Sequence, residues 1–272
     1  MLQKLAVFGL CLGILLPRAA PAAPPDKHPT LNLEGSKKAL ESGDETRALS
    51  ALGEIEQSQD GRAAPLVDAL LVRGASTKLL LRAISVAGVL GQPSSSSALS
   101  PYTKHRSPEV RRAAARSLAH TKGHIAIQAL RDALRGSDPA LRGTAAEGLG
   151  ALGAKEAVPD LFVVLPKEVP EAAAAIGVLC RGDECKRFVG LLGKLPFEVM
   201  ESGFLPLLLR AGSDAPNPVK LELIEQLRRL ATQKASALLQ TALASYPAEG
   251  DPQIRTAIDA ALHGHSVTGG ER

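Results

Sequence analysis

SPEVRRAAARSLAHTKGHIAIQALRDALRGSDPALRGTAAEGLGALGAKEAVPDLFVVL, residues 107–165, is the stretch that decides the fold. Within it Pro108-Glu109-Val110-Arg111 returns 31 residues later as Pro139-Ala140-Leu141-Arg142. Val110, Ala114 and Leu118 become Leu141, Ala145 and Leu149, and Leu79, Ala83 and Ala87 hold the same positions one step upstream. The second half of the unit repeats as well: Ile127, Leu130 and Leu134 become Val158, Leu161 and Leu165. Self-similarity at a period of roughly 20–50 residues is the mark of a solenoid, in which each unit buries its apolar face only against its neighbours.

Each unit reads as two helices. Apolar residues at i, i+4 and i+8 share one helical face, whereas a strand would alternate every second residue. Ser107-Pro108, Asp138-Pro139, Asn217-Pro218 and Asp251-Pro252 each set a capping side chain before a proline at the first helical position, where its missing N–H costs no bond. Gly123, Gly136, Gly153, Gly182, Gly212 and Gly250 stand where helices should stop. No sustained alternating run of β-branched residues appears, so the expectation is all-α: a solenoid of stacked helix pairs with a period of 31 residues.

The N-terminus sets the expected compartment. Lys4, the apolar run Leu5–Leu16 and the small residues Ala20-Pro21-Ala22 form the pattern of a cleaved secretory signal peptide. The run is too short to span a bilayer. The expected organisation is a signal peptide at 1–22, a flexible linker with a first partial helix at 23–43, the solenoid at 44–263 and a disordered polar tail at 264–272. The mature protein is expected in the periplasm or outside the cell, as a monomer without a membrane span.

Lys and Arg number 32 against 28 Asp and Glu, a formal charge of +4 that falls when Lys4 and Arg18 leave with the signal. Nucleic-acid binding needs basic charge gathered on one face. Here Arg106, Arg111, Arg112, Arg116, Arg131 and Arg135 spread over both helices of a unit. With no Trp, two Tyr and five Phe, the chain lacks the aromatic platforms on which bases and sugars stack. The unit before Pro108 is irregular: Ser96, Leu99 and Thr103 occupy its apolar positions, and Pro101 should break its second helix after about one turn. That unit is either a degenerate repeat held by its neighbours or a hinge.

In these residues the chain resembles HEAT-like repeats of the phycobilisome-lyase type. The shared pattern is D/S-P-x-V-R-x-x-A-A-x-x-L-G followed by E-A-V-P-x-L. Ala145-Ala146, Leu149-Gly150 and Glu156-Ala157-Val158-Pro159-Asp160-Leu161 match it. The match is strong over 107–166, fair at 76–91 and at 251–263 through Pro252-Gln253-Ile254-Arg255, and loose elsewhere. The resemblance implies a right-handed α-solenoid whose first helices form the outer face and whose second helices line the concave one. It implies no single activity, since some members attach bilins to light-harvesting proteins and most are scaffolds. It also implies that the recurrent Arg111, Arg142 and Arg255 pair with acidic or carbonyl groups between repeats.

Catalytic-looking features reduce to structure. Gly148-Leu149-Gly150-Ala151-Leu152-Gly153 is formally GxGxxG, but a dinucleotide site needs that loop between a strand and a helix. Here it closes a first helix, where glycine lets neighbouring helices approach. His120 and His124 are separated by a turn, and no carboxylate or cysteine cluster joins them, so no metal site is expected. No His-Glu pair, nucleophile elbow or P-loop occurs, and no catalytic residue or cofactor is assigned. Cys180 and Cys185 flank Arg181-Gly182-Asp183-Glu184, a turn that can bring them within bridging distance in an oxidising compartment.

The expected function is an exported, non-enzymatic scaffold that binds a protein partner; the alternative is an enzyme subunit or chaperone resembling bilin lyases. With Ile127, Leu130 and Leu134 on the core, Gln128, Arg131, Asp132 and Arg135 point outward, and one period on so do Phe162 and Val163. These six residues are the candidate partner-binding set, a polar patch beside an apolar one.

Overall fold

A computed structural model describes residues 31–263. The proposed signal peptide, the expected linker up to residue 30 and the tail from 264 lie outside the described residues. Among the described residues there are fifteen α-helices and no strand. They are α1 (Leu33–Glu41), α2 (Glu45–Ser58), α3 (Ala64–Arg73), α4 (Thr77–Leu90), α5 (Ser96–Leu99), α6 (Pro108–Thr121), α7 (His124–Leu134) and α8 (Pro139–Ala151). The series continues with α9 (Val158–Val164), α10 (Pro170–Leu179), α11 (Asp183–Val189), α12 (Phe197–Leu209), α13 (Asn217–Leu230), α14 (Gln233–Ser245) and α15 (Pro252–His263).

Two rows result. The even-numbered helices stack in sequence from α2 to α14. The odd-numbered helices stack from α1 to α9 and again from α11 to α15. The repeat's first helices, α4, α6, α8 and α10, form the even row; its second helices form the odd row. α1 packs on α2 and α3 and so belongs to the stack, with Asn32 Oδ1 capping it by accepting from Gly35 N–H at 2.9 Å.

The core lies between the rows. Val110, Ala114, Leu118, Leu130, Leu134, Ala145, Leu149, Leu161 and Leu165 are all fully buried, as the periodicity requires. Each buried leucine contributes about 1.5–3 kcal/mol relative to exposure. Short side chains let the even row close up. A Cβ on Gly148 would meet Ala119 and Leu130 at 3.1 Å, and one on Gly150 would meet Ala175 at 3.3 Å. The formal GxGxxG is therefore a helix–helix contact inside and just beyond α8. The closest approach is α10 against α12, where Gly177 and Gly203 bring backbone to backbone.

The period also appears in polar bonds between repeats. Arg73 donates to the Leu40 carbonyl, Tyr102 to Leu71, Ser117 to Ile84, Ser202 to Pro170 and Arg210 to Gly177, at sequence separations of 31 to 33. In the irregular unit Ser96, Leu99 and Thr103 are buried, so the repeat's core positions hold. α5 stops at Leu99 and the chain continues as a 3-10 turn through Pro101. Ser96 Oγ meets its polar need by donating to Thr121 Oγ1 at 2.9 Å.

Of the four expected caps, two form. Asp138 Oδ1 accepts from Leu141 N–H at 3.2 Å, and Asp251 Oδ1 accepts from Gln253 N–H at 2.8 Å. Ser107 makes no side-chain cap, and Asn217 stands inside α13 with Pro216 before it. A disulfide joins Cys180 and Cys185 across the turn from α10 to α11, with Cα atoms 5.1 Å apart.

Candidate partner-binding surface

α7 and α9 place the candidate residues on the odd row. Arg131 Nε donates to Asp160 Oδ2 at 2.6 Å, and Arg135 Nη2 donates to Asp160 Oδ1 at 2.9 Å. Arg135 also reaches Asp132 at 3.3 Å, and Gln128 Nε2 donates to the same Asp132 oxygen at 3.1 Å. Four of the predicted residues thus form one network, and Asp160, which the sequence reading passed over, joins it to the next repeat. Burial raises the Asp160 pKa, but the bonds from Arg131 and Arg135 outweigh it and hold the carboxyl below its ordinary value.

The ladder is half-buried at Arg131 and open at Arg135, whose side chain is 58% exposed. Asp132 and Arg135 also line an open groove of about 430 Å³ with Thr103, Lys104, Arg111 and Asp138. It lies beside the 3-10 turn that replaces the end of α5.

Phe162 departs from expectation. Equivalence with Arg131 predicts an outward side chain, but Phe162 is only 5% exposed. α9 is a short helix entered through the 3-10 turn Lys155–Ala157, and the Arg187 guanidinium of α11 lies 4.2 Å above the Phe162 ring. The ring is core, held by a cation–π contact. Val163, one residue on, is 67% exposed. The apolar part of the candidate patch is therefore Val163 and not Phe162.

Arg111 and Arg142 act between repeats. Arg111 Nη1 donates to the carbonyls of His105 and Arg106, and Nη2 to Asp138 Oδ2 at 2.7 Å. Arg142 Nη1 donates to the Gly136 carbonyl at 2.9 Å. Arg255 does not share this position, because α15 packs on α13 in the odd row. The even row offers a different surface, with shallow grooves at Val89, Arg116 and His120 and at Ala151, Ala174 and Val178. Among the described residues no three His, Cys, Asp or Glu side chains converge as metal ligands.

Comparison with known families agrees with this geometry. A family model described as HEAT repeats matches residues 63–138, and one described as PBS lyase HEAT-like repeat matches 141–161. The chain carries HEAT-like repeats. No curated protein sequence matches it. Among solved structures, the HEAT-like stack is similar to the complex of CpcE and CpcF of phycocyanin lyase from Nostoc sp. PCC7120, with 19% identity, 91% of this chain and 100% of that chain covered, and a TM-score of 0.48. It is also similar to an engineered protein at 20% identity, covering 84% and 71% of the two chains with a TM-score of 0.48. A designed armadillo repeat protein in complex with the peptide (KR)4 aligns at 16% identity over 86% and 99%, with a TM-score of 0.37.

Proposed function

We propose that this protein is an exported, non-catalytic HEAT-repeat scaffold that holds a protein partner on its odd-row face at α7 and α9. The observation that carries the reading is the ladder Gln128–Asp132–Arg135–Asp160–Arg131 beside exposed Val163. Its charged side chains are already ordered by one another, so docking costs less side-chain entropy than docking on free arginines would. The apolar Val163 and the adjoining groove offer an anchor within a polar rim.

Export rests on the Lys4, Leu5–Leu16, Ala20-Pro21-Ala22 pattern, and the Cys180–Cys185 bridge fits an oxidising compartment. Intact-mass measurement of the purified mature protein should place its first residue at Ala23 or Pro24; a chain that keeps Met1 contradicts export. Capture from the periplasm on the intact chain tests partner binding, with a Val163→Asp, Arg135→Glu variant as the control that should lose the partner.

A second reading, an enzyme subunit or chaperone of cofactor attachment, is favoured by the match of 141–161 to the PBS lyase repeat. Pigment that copurifies with the protein would support it over the scaffold.

A further inference from the structure

The end of α12, the first turn of α13 and the Tyr246–Asp251 loop enclose a cavity of about 330 Å³, away from α7 and α9. Leu209, Ala211, Tyr246 and Pro247 give it an apolar wall, and Arg210, Asn217, Lys220, Glu249 and Asp251 give it a polar one. Lys220 is only 1% exposed. Its ammonium donates to the Arg210 carbonyl, which closes α12. An ammonium has three donors, and the other two find no protein acceptor among the described residues.

No carboxylate forms an ion pair with Lys220 among the described residues, and Asp251 favours its charged form only from beyond ion-pair distance. Arg210, the cation that acts on Lys220, gives Nη1 to the Gly177 carbonyl and Nη2 to the Cys180 carbonyl. Asp251 turns one oxygen to Asn217 Nδ2 at 2.5 Å and the other to Gln253 N–H. Asp214 pairs with Lys155 and Arg181, and Glu249 is exposed at the rim. Burial pushes the Lys220 pKa below its ordinary value, Arg210 adds to this, and Asp251 opposes it. Three residues before Lys220 on the same helical face, Asn217 Oδ1 is buried and without a donor. Its orientation is fixed, because the Asp251 carboxylate can only accept. A capping role for Lys220 accounts for one of its donors. It leaves the others, and the Asn217 oxygen, unexplained.

We propose that this cavity binds a small carboxylate that carries an N–H or O–H donor on the neighbouring carbon. The carboxylate sits on Lys220, the donor on Asn217 Oδ1, and a short apolar side chain against Tyr246 and Pro247. The volume, at the low end for small-molecule pockets, fits one such unit. That unit is either a free acid or the last residue of a peptide.

Calorimetric titration of the full mature chain with N-acetyl-L-alanine, and with N-acetyl-L-alaninamide as the uncharged control, tests the site. Saturable binding of the acid alone is expected, at least ~10-fold weaker in Lys220→Met. Where Lys220→Met fails to fold, Asn217→Ala decides: it should weaken N-acetylalanine ~10-fold and leave acetate, which has no such donor, unchanged. Equal binding of acid and amide, or no saturable binding of the acid, overturns the proposal. Trialanine that binds tighter than N-acetylalanine marks a chain terminus as the natural source; equal or weaker binding marks a free acid, and both support the site.

Discussion

Arg111 of one repeat holds Asp138, the residue that caps the first helix of the next, at 2.7 Å. Asp138 divides its carboxylate between the two tasks, Oδ2 to Arg111 and Oδ1 to Leu141 N–H. In this pair the arginine of one unit fixes the start of the unit that follows, whereas Arg142 bonds back to the Gly136 carbonyl. Asp138→Ala removes cap and bridge together and should cost about 1–2 kcal/mol. Asp138→Asn keeps a capping oxygen and should cost less. Urea unfolding of both variants, with Arg111→Ala and the double mutant, measures the coupling.

The odd-row ladder predicts a pH dependence. The folded pKa of Asp160 lies below the unfolded value, so its stabilisation is fully present above the unfolded carboxylate range and is lost as pH falls through the folded pKa. Asp160→Asn should destabilise the protein by about 1–2 kcal/mol at neutral pH, because two arginines lose their carboxylate. The difference from wild type should shrink in acid. Thermal melts of both proteins across that range check the sign.

Asp68 predicts the opposite trend. Burial in α3 raises its pKa, and the Ser95 hydroxyl nearby offsets part of this without reaching hydrogen-bonding geometry. A raised folded pKa means that the contribution is present below the unfolded value and is lost as pH rises through the folded one. Asp68→Asn should therefore raise Tm at neutral pH, with the gain disappearing below the carboxylate range.

Phe162 and Val163 should separate stability from binding. Phe162→Ala empties a packed site under Arg187 and should cost about 3–5 kcal/mol. Val163→Ala, at an exposed position, should change stability by less than ~0.5 kcal/mol. Denaturant midpoints for the two variants give the contrast directly.

Much of this molecule is legible in its sequence, and the limits have physical causes. The 31-residue spacing carries the helix pairs and the buried leucines and alanines, because every regular unit solves one packing problem, and the family resemblance implies the pairing role of Arg111 and Arg142. The turn between Cys180 and Cys185 carries their bridge. Register equivalence with Arg131 misplaces Phe162 because it assumes equal helices, whereas α9 is short and Arg187 closes over it. The ladder through Asp160 joins residues 25 and 29 apart, off the repeat period, so self-comparison does not display it. Arg255 shares a motif with Arg111 but not a row, since the helix count between them shifts α15 to the other side. Lys220 carries no sequence signal: its burial comes from α12, α13 and a loop that meet only in three dimensions.

The central claim is that the partner docks on the odd row at α7 and α9. Site-specific photo-crosslinking in the cell tests it, with the photoreactive residue placed at Val163 or at Val89, which is 46% exposed on the even row. A defined protein adduct from position 163 and none from position 89 is the predicted result. An adduct from position 89 with none from 163 would contradict the account.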